Sequence, residues 1–498
     1  MAKSGYPGWA KDEAEKILWL GRCVHIVVPS ILEPDEKFSV RISVVGPDQM
    51  PIDKALVLRI PTQRGWRNLP TVVKVSTEPV YLKEVSLAEE GCYHLEARFD
   101  FLGDSESVYS NPVWCQLNSP TRLFWGDIHI HSIDGLCTPY ATKEPRFGME
   151  YARRVTFLDF VAITDHIRGL NASKWEKQRG LVREFNKPGE FVPILGFESS
   201  HRSGQGGDNN AYYRGFDPEY FWLDREDMKG ANPDVPLEEL WSFLEQQNID
   251  FMTIPHHTGR RDKYRDWNKG RYSPNNEPLF EIYSMWGSSE CYDSRYPLRG
   301  LNSEQPAYFV DALRLGCRYG VIASGDDHTT MPGSETSSAL PGWPGETYSH
   351  KGIAGIFASQ LNRDHLWQAM KERQTLASTY SRVPLFFEAC DNPAGSVIKL
   401  SPAASERKMR QISVKLLSNG GACRLSLLRN GKVIHVWDSM LPSEPHMAEF
   451  EFVDKEAFES LAIHNAPFLP QPFIVYYVRV DFCGGGTVWS SPIWFVCQ

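Results

Sequence analysis

From residue 35 to 117 apolar and polar positions alternate, in "KFSVRISVV", "ALVLRI", "VVKVS", "VYLKEVSL", "GCYHLEARFDF" and "NPVWCQL", separated by Pro, Gly and Asp turns. A period of two over short runs predicts strands, and their spacing predicts a β-sandwich. "NSPTR" at 118–122 then reads as a linker. From Leu123 the pattern changes. Apolar runs such as "LFWGDIHI", "DFVAITDH", "FVPILGFE", "DFMTIPHH", "LFEIYSMW", "YGVIASGDDH" and "GIAGIFAS" alternate with the helix-compatible stretches "PRFGMEYARRV", "ASKWEKQRGLVREFN", "PLEELWSFLEQQN", "AYFVDALRLG" and "NRDHLWQAMKERQ". This βα rhythm predicts a parallel sheet, most economically a closed barrel. The stretch 201–235, rich in Gly, Asn, Asp and aromatic residues, interrupts it and reads as an insertion over the barrel mouth. Beyond about residue 388 the alternation returns, with the hairpin signal "RNGK" at 429–432. The chain is thus predicted to divide into an N-terminal β-sandwich (1–120), a βα barrel (121–388) and a C-terminal β-rich domain (389–498).

Composition changes this picture little. A length of 498 residues fits two to four domains, and 42% hydrophobic residues suffice for a core in each. A net charge of −9, with no concentrated run of Lys and Arg, argues against nucleic-acid and anionic-membrane partners. The first twenty residues lack the apolar core of a secretory signal, and no run of apolar residues is long enough to span a bilayer. Ten scattered cysteines without a C-x-x-C pair suit reduced thiols, which predicts a cytoplasmic protein. The expected partner is a small-molecule substrate, with a homo-oligomer as a further option.

Chemistry concentrates where the apolar runs of the middle region end. His129 and His131 close the first run, Asp165 and His166 the second, Glu198 the third, His256 and His257 the fourth; Glu281 lies within the fifth, and Asp326 and His328 close the sixth. In a strand His129 and His131 share a face, together with Asp127. Seven of the fourteen histidines lie between 129 and 328, and six of those seven sit at these ends, which a βα barrel brings to one face. A mononuclear site needs about three protein ligands. Five histidines and several carboxylates fit two or three divalent ions sharing a hydroxide, and the imidazole and carboxylate donors, with no cysteine among them, suit Zn, Mn or Fe. The neighbouring acids divide between ligands and framework: Glu281 is a ligand or a hydrogen-bonded interior acid, and Asp327 reads as the cap of a turn. The cluster "GRRDKYRDWNKGR" at 259–271 is an anion-binding loop, through Arg260 and Arg261, or a solvated loop; Arg168, two residues past His166, is a further candidate for anion contact. Trp286 and Trp343 are candidates to line the pocket.

The segments "HIH", "ITDH", "GFE", "IPHH" and "SGDDH", in that order, resemble the motifs of the PHP (polymerase and histidinol phosphatase) superfamily. "FWGDIHIHS", "EIYSMWGSSE", "SGDDHTTMPG", "AMKERQTLAS" and "YYVRVDFCGGGTVWSSPIW" resemble a bacterial PHP-like subfamily known chiefly as a domain of unknown function. The likeness runs from about residue 120 to the C-terminus, with the first 120 residues looser and Ig-like. It implies an α/β fold, a distorted (βα)7 PHP-type barrel with a trinuclear site, flanked by the two β domains. It also implies a metal-dependent hydrolase, foremost a phosphoesterase in which a hydroxide shared by the ions attacks phosphorus. Position by position, His129, His131 and Asp326 would hold the first ion, Glu198 would bridge two, His166 and His328 would hold the second, and His256 the third. Asp165 would orient a neighbouring imidazole, and His256 or His328 would protonate the leaving oxygen. Asp134 follows the H-x-H at a shorter spacing than the acid in PHP sequences. In "GGDNN", Asp208 stands where relatives place a ligand histidine, so Asp208 itself or His201 would take that role; His257 stands where relatives often carry a non-ligand. Two alternatives share the sequence: hydrolysis of a carboxylic ester, lactone or amide at the same site, and a non-catalytic metal-binding or structural protein.

Overall fold

The computed structural model describes residues 23–498 except for 47–48, 53–54, 102–103, 138–140, 202–203, 219–235, 262–263, 268–270, 299–305, 335–350, 380–381, 402–408, 419, 443 and 484. Most of the aromatic insertion, and Trp343, lie outside the described residues.

The alternating segments of the first part form strands as predicted. Val24–Val27, Phe38–Val44, Val80–Leu87 and Trp66–Arg67 make one antiparallel sheet, and Asp104–Tyr109, Glu96–Phe101, Leu56–Arg59 and Val72–Val75 a second. Their inward residues, among them Val40, Ile42, Leu58, Val75, Val85 and Ala97, share one core. This β unit is tied to the middle region by polar contacts: the indole Nε1 of Trp125 donates to Ser30 Oγ (2.9 Å), and Arg122 pairs with Glu36 (2.8 Å).

In the middle region the predicted helices form at Pro145–Arg154, Ala172–Phe185, Leu237–Gln246, Phe309–Arg314 and Arg363–Lys371. Ala172–Phe185 starts where Asn171 Oδ1 accepts from the Lys174 amide (2.9 Å), satisfying one of the free amides of the first turn. Its apolar face, Trp175, Leu181, Val182 and Phe185, packs on Ile163, Leu195 and Phe197.

The strands depart from a uniform parallel sheet. Arg122–Asp127, Phe160–Val161 and Val192–Pro193 pair in parallel, as do Leu279–Ser284 and Gly320–Ala323. Gly352–Ala358, expected as one more parallel strand, lies antiparallel to Arg122–Asp127 and to Thr375–Thr379. Asp208–Tyr213, expected in the insertion over the site, is a fully buried strand inserted antiparallel between Leu195–Ser200 and Phe251–His256. Its short polar and aromatic run, "DNNAYY", hides this from a periodicity argument. Isolated parallel bridges, Ile130 with Asp327 and His166 with Glu198, carry the pairing on past the ends of the regular ladders.

The ladder continues from Thr375–Thr379 through Thr487–Ser490 into Phe473–Phe482, Gly421–Arg429 and Lys432–Leu441. The sheet therefore crosses residue 388 without a break, and Leu123, Trp125 and Leu376 share a core with Leu425, Val478 and Ile493. The "RNGK" turn is a tight hairpin in which Asn430 (φ 53°) and Gly431 (φ 72°) both take the left-handed conformation. Among the described residues no helix is long and apolar enough to cross a membrane.

Candidate metal centre

His129 and His131 lie just past the end of Arg122–Asp127, flanking the single bridge at Ile130. The His131 amide donates to Asp327 O (2.9 Å), and the Asp327 amide donates to His129 O (3.2 Å). Alternation persists across this bridge, so both rings enter the same buried space, their centroids 5.3 Å apart. Asp127 does not join them. Its carboxylate accepts the amides of Gly325 (2.9 Å), Gly333 (3.2 Å) and His129 (3.3 Å), and burial pushes its pKa up to about 7. It fastens the two loops that carry the histidines and Asp326.

Two carboxylates organise the centre. Glu198 Oε2 lies 2.8 Å from His166 Nδ1, 3.3 Å from His131 Nε2 and 3.8 Å from His129 Nε2, while Oε1 lies 3.1 Å from His256 Nε2. Asp326 Oδ1 lies 3.1 Å from His131 Nε2 and 3.3 Å from His129 Nε2; Oδ2 lies 2.8 Å from His257 Nε2. Burial alone would raise both acids, but the surrounding imidazoles outweigh it and hold both well below the usual carboxylate range. His328 Nδ1 sits 3.0 Å from the Asp326 carbonyl; burial, and the charge of His131, lower its pKa to about 4. Burial tends to lower the pKa of His129, and the charges of Asp326 and Glu281 raise it well above the ordinary histidine range.

The donor atoms gather into four overlapping sets, each with all its atoms within 4.8 Å: His129, His131 and Asp326; His129, Glu198 and His256; Asp208, His256 and His257; and His131, Cys137, His166 and His328. These sets fit divalent ions. Two ligands at about 2.05 Å from a tetrahedral ion stand about 3.3 Å apart, and closer when cis on an octahedral one. The nitrogen-to-oxygen separations of 2.8–3.3 Å around Glu198 and Asp326 match that spacing. Glu198 Oε2, His129 Nε2 and His256 Nδ1 are buried, and among the described residues none has a hydrogen-bond partner of good geometry.

The backbone is strained where it presents these groups. Asp326 (φ 49°) and His257 (φ 44°) are left-handed, at a cost of about 1–3 kcal/mol each. The turn after Asp326 is held by Asp327, whose carboxylate accepts from the Thr329 amide (2.8 Å) and the Met331 amide (2.5 Å) and pairs with the buried Lys351 ammonium (2.9 Å). Asp327 is thus the turn cap expected from the sequence.

The remaining candidates divide. Asp208 joins His256 and His257, whereas His201 belongs to none of the four sets and has Ser199 Oγ 3.1 Å from its Nε2. Glu281 faces His129 Nδ1 (3.0 Å), which turns Nε2 of that ring toward Asp326. Asp165 contacts Ser132 rather than an imidazole, accepting its amide and hydroxyl (both 2.5 Å), and burial raises its pKa to about 6. Asp134 lies outside the cluster and pairs with Lys177 (3.2 Å). Gly169 lets the turn after His166 meet the turn after His131, since a Cβ there would stand 2.5 Å from the Gly135 backbone. Trp286 packs edge-on to His257 and His328, with ring centroids 6.2 and 6.1 Å away, and the Arg260 guanidinium lies 5.6 Å from the Trp286 ring centre. Arg168 and Arg261 are exposed. Cys137 was missed by the sequence reading, which saw no cysteine among the ligands; its Sγ is 3.9 Å from His131 Nδ1, and burial raises its pKa.

No family model matches the chain. It is 25% identical over 428 residues to an uncharacterized protein of Chlamydia pneumoniae, and 25% and 24% identical over 426 residues to uncharacterized proteins of Chlamydia trachomatis and Chlamydia muridarum. Each alignment takes in 83% of this chain and 64% of the relative, so the match spans less than two thirds of those proteins. Among solved structures, a two-domain protein from Bacteroides vulgatus, described as containing a predicted PHP-like metal-dependent phosphoesterase, aligns at 13% identity. It covers 72% of this chain and 91% of its own, with a TM-score of 0.38.

Proposed function

We propose that this protein is a metal-dependent hydrolase acting on phosphoesters, and that the strands around the cluster are a variant of the distorted (βα)7 barrel its motifs resemble. One observation carries the reading: five imidazoles, from His129, His131, His166, His256 and His257, face the oxygens of two buried carboxylates at 2.8–3.3 Å. A framework role would not require so many titratable groups in one buried space, where each costs free energy unless paired.

In this reading His129, His131 and Asp326 hold one ion, His166 and His328 a second that shares Glu198, and Asp208, His256 and His257 a third. Bound divalent ions, Zn, Mn or Fe, supply an activated water and neutralise charge on the phosphoryl group. The protein's own groups prepare the place for them. Glu281 fixes the orientation of His129, as partners of metal-binding imidazoles do. His328, buried with its Nδ1 3.0 Å from the Asp326 carbonyl, offers its other nitrogen as a ligand of the second ion or carries the proton to the leaving oxygen. His256 likewise serves as a ligand, and Asp165 acts as a positioning residue through Ser132. Arg260, over Trp286 beside His257 and His328, binds the non-bridging oxygens of the substrate.

Incubation of the Zn-, Mn- and Fe-loaded chain with a panel of phosphomonoesters and phosphodiesters tests this. Turnover abolished in Asp326→Ala is expected. Turnover confined to carboxylic esters, lactones or amides would overturn the substrate class, and no turnover with any of them would overturn the activity.

A further inference from the structure

The second proposed ion position differs chemically from the others. Its ligands His166 and His328 share a cluster of donor atoms with the thiol of Cys137, which is 9% exposed and stands six residues beyond His131. Among the described residues no other cysteine belongs to a cluster of metal-capable groups. The Cys137 Sγ lies 3.9 Å from His131 Nδ1 and 3.8 Å from the Gly135 carbonyl. The sulfur also lies within 4.8 Å of a donor atom of His166 and of His328; a sulfur at about 2.3 Å and a nitrogen at about 2.05 Å from a tetrahedral ion stand about 3.6 Å apart, so a small approach brings the three onto one ion. A second observation points into the same space. Glu198 Oε2, the oxygen this ion would share, is buried, lacks a well-aligned hydrogen-bond donor among the described residues, and stands 2.8 Å from His166 Nδ1.

The turn that delivers the sulfur is itself anchored. Ser132 is gripped at both its amide and its hydroxyl by Asp165, and its hydroxyl accepts from the Asp134 amide (3.2 Å), starting the short helix Ile133–Gly135. Leu136, left-handed at φ 58°, then reverses the chain so that Cys137 returns toward His131. Asp165, beside the ligand His166, thus positions Cys137 as well.

We infer that Cys137 is a thiolate ligand of the second ion, beside His166 and His328, which makes this one position a sulfur-containing, zinc-preferring site. The inference rests on the metal-centre reading above. On binding, the thiol proton leaves to solvent and the sulfur donates an electron pair to the ion, with no change of oxidation state. A thiolate among imidazoles favours Zn²⁺ over Mn²⁺, whereas the positions built from imidazole and carboxylate alone do not discriminate in this way.

The test is Co²⁺ substitution of the full chain, stripped of metal and reloaded, read by absorption spectroscopy beside Cys137→Ser and Cys137→Ala. The expected result is a sulfur-to-cobalt charge-transfer band in the near ultraviolet that is lost in both variants, while the visible bands of cobalt at the nitrogen and oxygen sites persist. Zinc displaces manganese from that position less effectively in both variants. Visible cobalt bands without the sulfur band in the unsubstituted chain would overturn this inference and leave the metal centre standing. No cobalt bound by the folded chain would overturn both. Far-ultraviolet circular dichroism of the variants separates a lost ligand from a lost fold; if both serine and alanine forms fail to fold, alkylation of Cys137 mapped by mass spectrometry decides. Protection by Zn²⁺ supports ligation, and equal labelling with and without Zn²⁺ refutes it.

Discussion

Glu281 offers the sharpest perturbation because it touches the centre only through one imidazole. Both its carboxylate oxygens lie near His129 Nδ1, at 3.0 and 3.3 Å, and acid and ring are almost completely buried, so water does not screen the pair. Glu281→Gln keeps the volume and an acceptor oxygen but removes the charge. A hydrogen bond to a charged group contributes about 1.5–3 kcal/mol and a neutral one about 0.5–1.5, so the exchange loses about 1–2 kcal/mol of the preference that aims His129 Nε2 at Asp326. That converts to about a 5- to 30-fold weaker affinity at the position using His129, overlapping the range of about 10- to 100-fold found when partners of metal-binding histidines are removed. Competition against a chromophoric zinc chelator measures it, with urea denaturation of the metal-free variant as a control for folding. The expected result is weakening at the position that uses His129, with full stoichiometry recovered at saturating zinc and the His166 and His328 position unchanged. Unchanged affinity at every position, in a folded variant, would refute the view that Glu281 orients a ligand.

Other outcomes follow from the same contacts. Lys351→Met strands the buried Asp327 carboxylate and lowers stability by about 3–5 kcal/mol, read as a fall in Tm; Asp327→Asn in the same chain recovers part of the loss. His25, far from the cluster, has its pKa lowered to about 4 by burial and by the charge of Arg382. Because the folded value lies below the unfolded value of about 6.5, the folded chain binds fewer protons between them. Stability is complete above about pH 6.5 and falls by about 3 kcal/mol as the pH drops toward 4, a slope that His25→Asn should flatten in urea titrations. Arg260→Ala should raise KM for phosphoesters with little change in kcat, and equal losses in kcat and kcat/KM would place it in the reacting centre instead.

The motifs made most of the centre legible. H-x-H, ITDH, IPHH and SGDDH end at or beyond a strand, GFE lies within Leu195–Ser200, and the fold converges His129, His131, His166, Glu198, His256, Asp326 and His328. Three things were not legible. Asp127 alternates in phase with the histidines yet is spent on the amides of Gly325 and Gly333, because the regular strand ends at this residue and its backbone neighbours lie about 200 positions away in sequence. Asp208–Tyr213 carries no strand periodicity because a strand buried on both faces needs none, and its polar residues are inside the fold. Cys137 follows a tight helical turn, so no spacing rule for strands could connect it to His131. A change of pattern near 388 is legible, but the hydrogen-bonded sheet that runs across that point depends on pairing between Leu376–Ser378 and Val488–Ser490, more than a hundred residues apart.

The central claim is that the buried histidines and carboxylates form a polynuclear metal centre. Elemental analysis by mass spectrometry of the purified chain, beside His129→Ala and Asp326→Ala, tests it most directly. The account predicts about two to three equivalents of Zn, Mn or Fe per chain, with fewer in both variants. Negligible metal in the folded chain after reconstitution, or a content untouched by both substitutions, would contradict it.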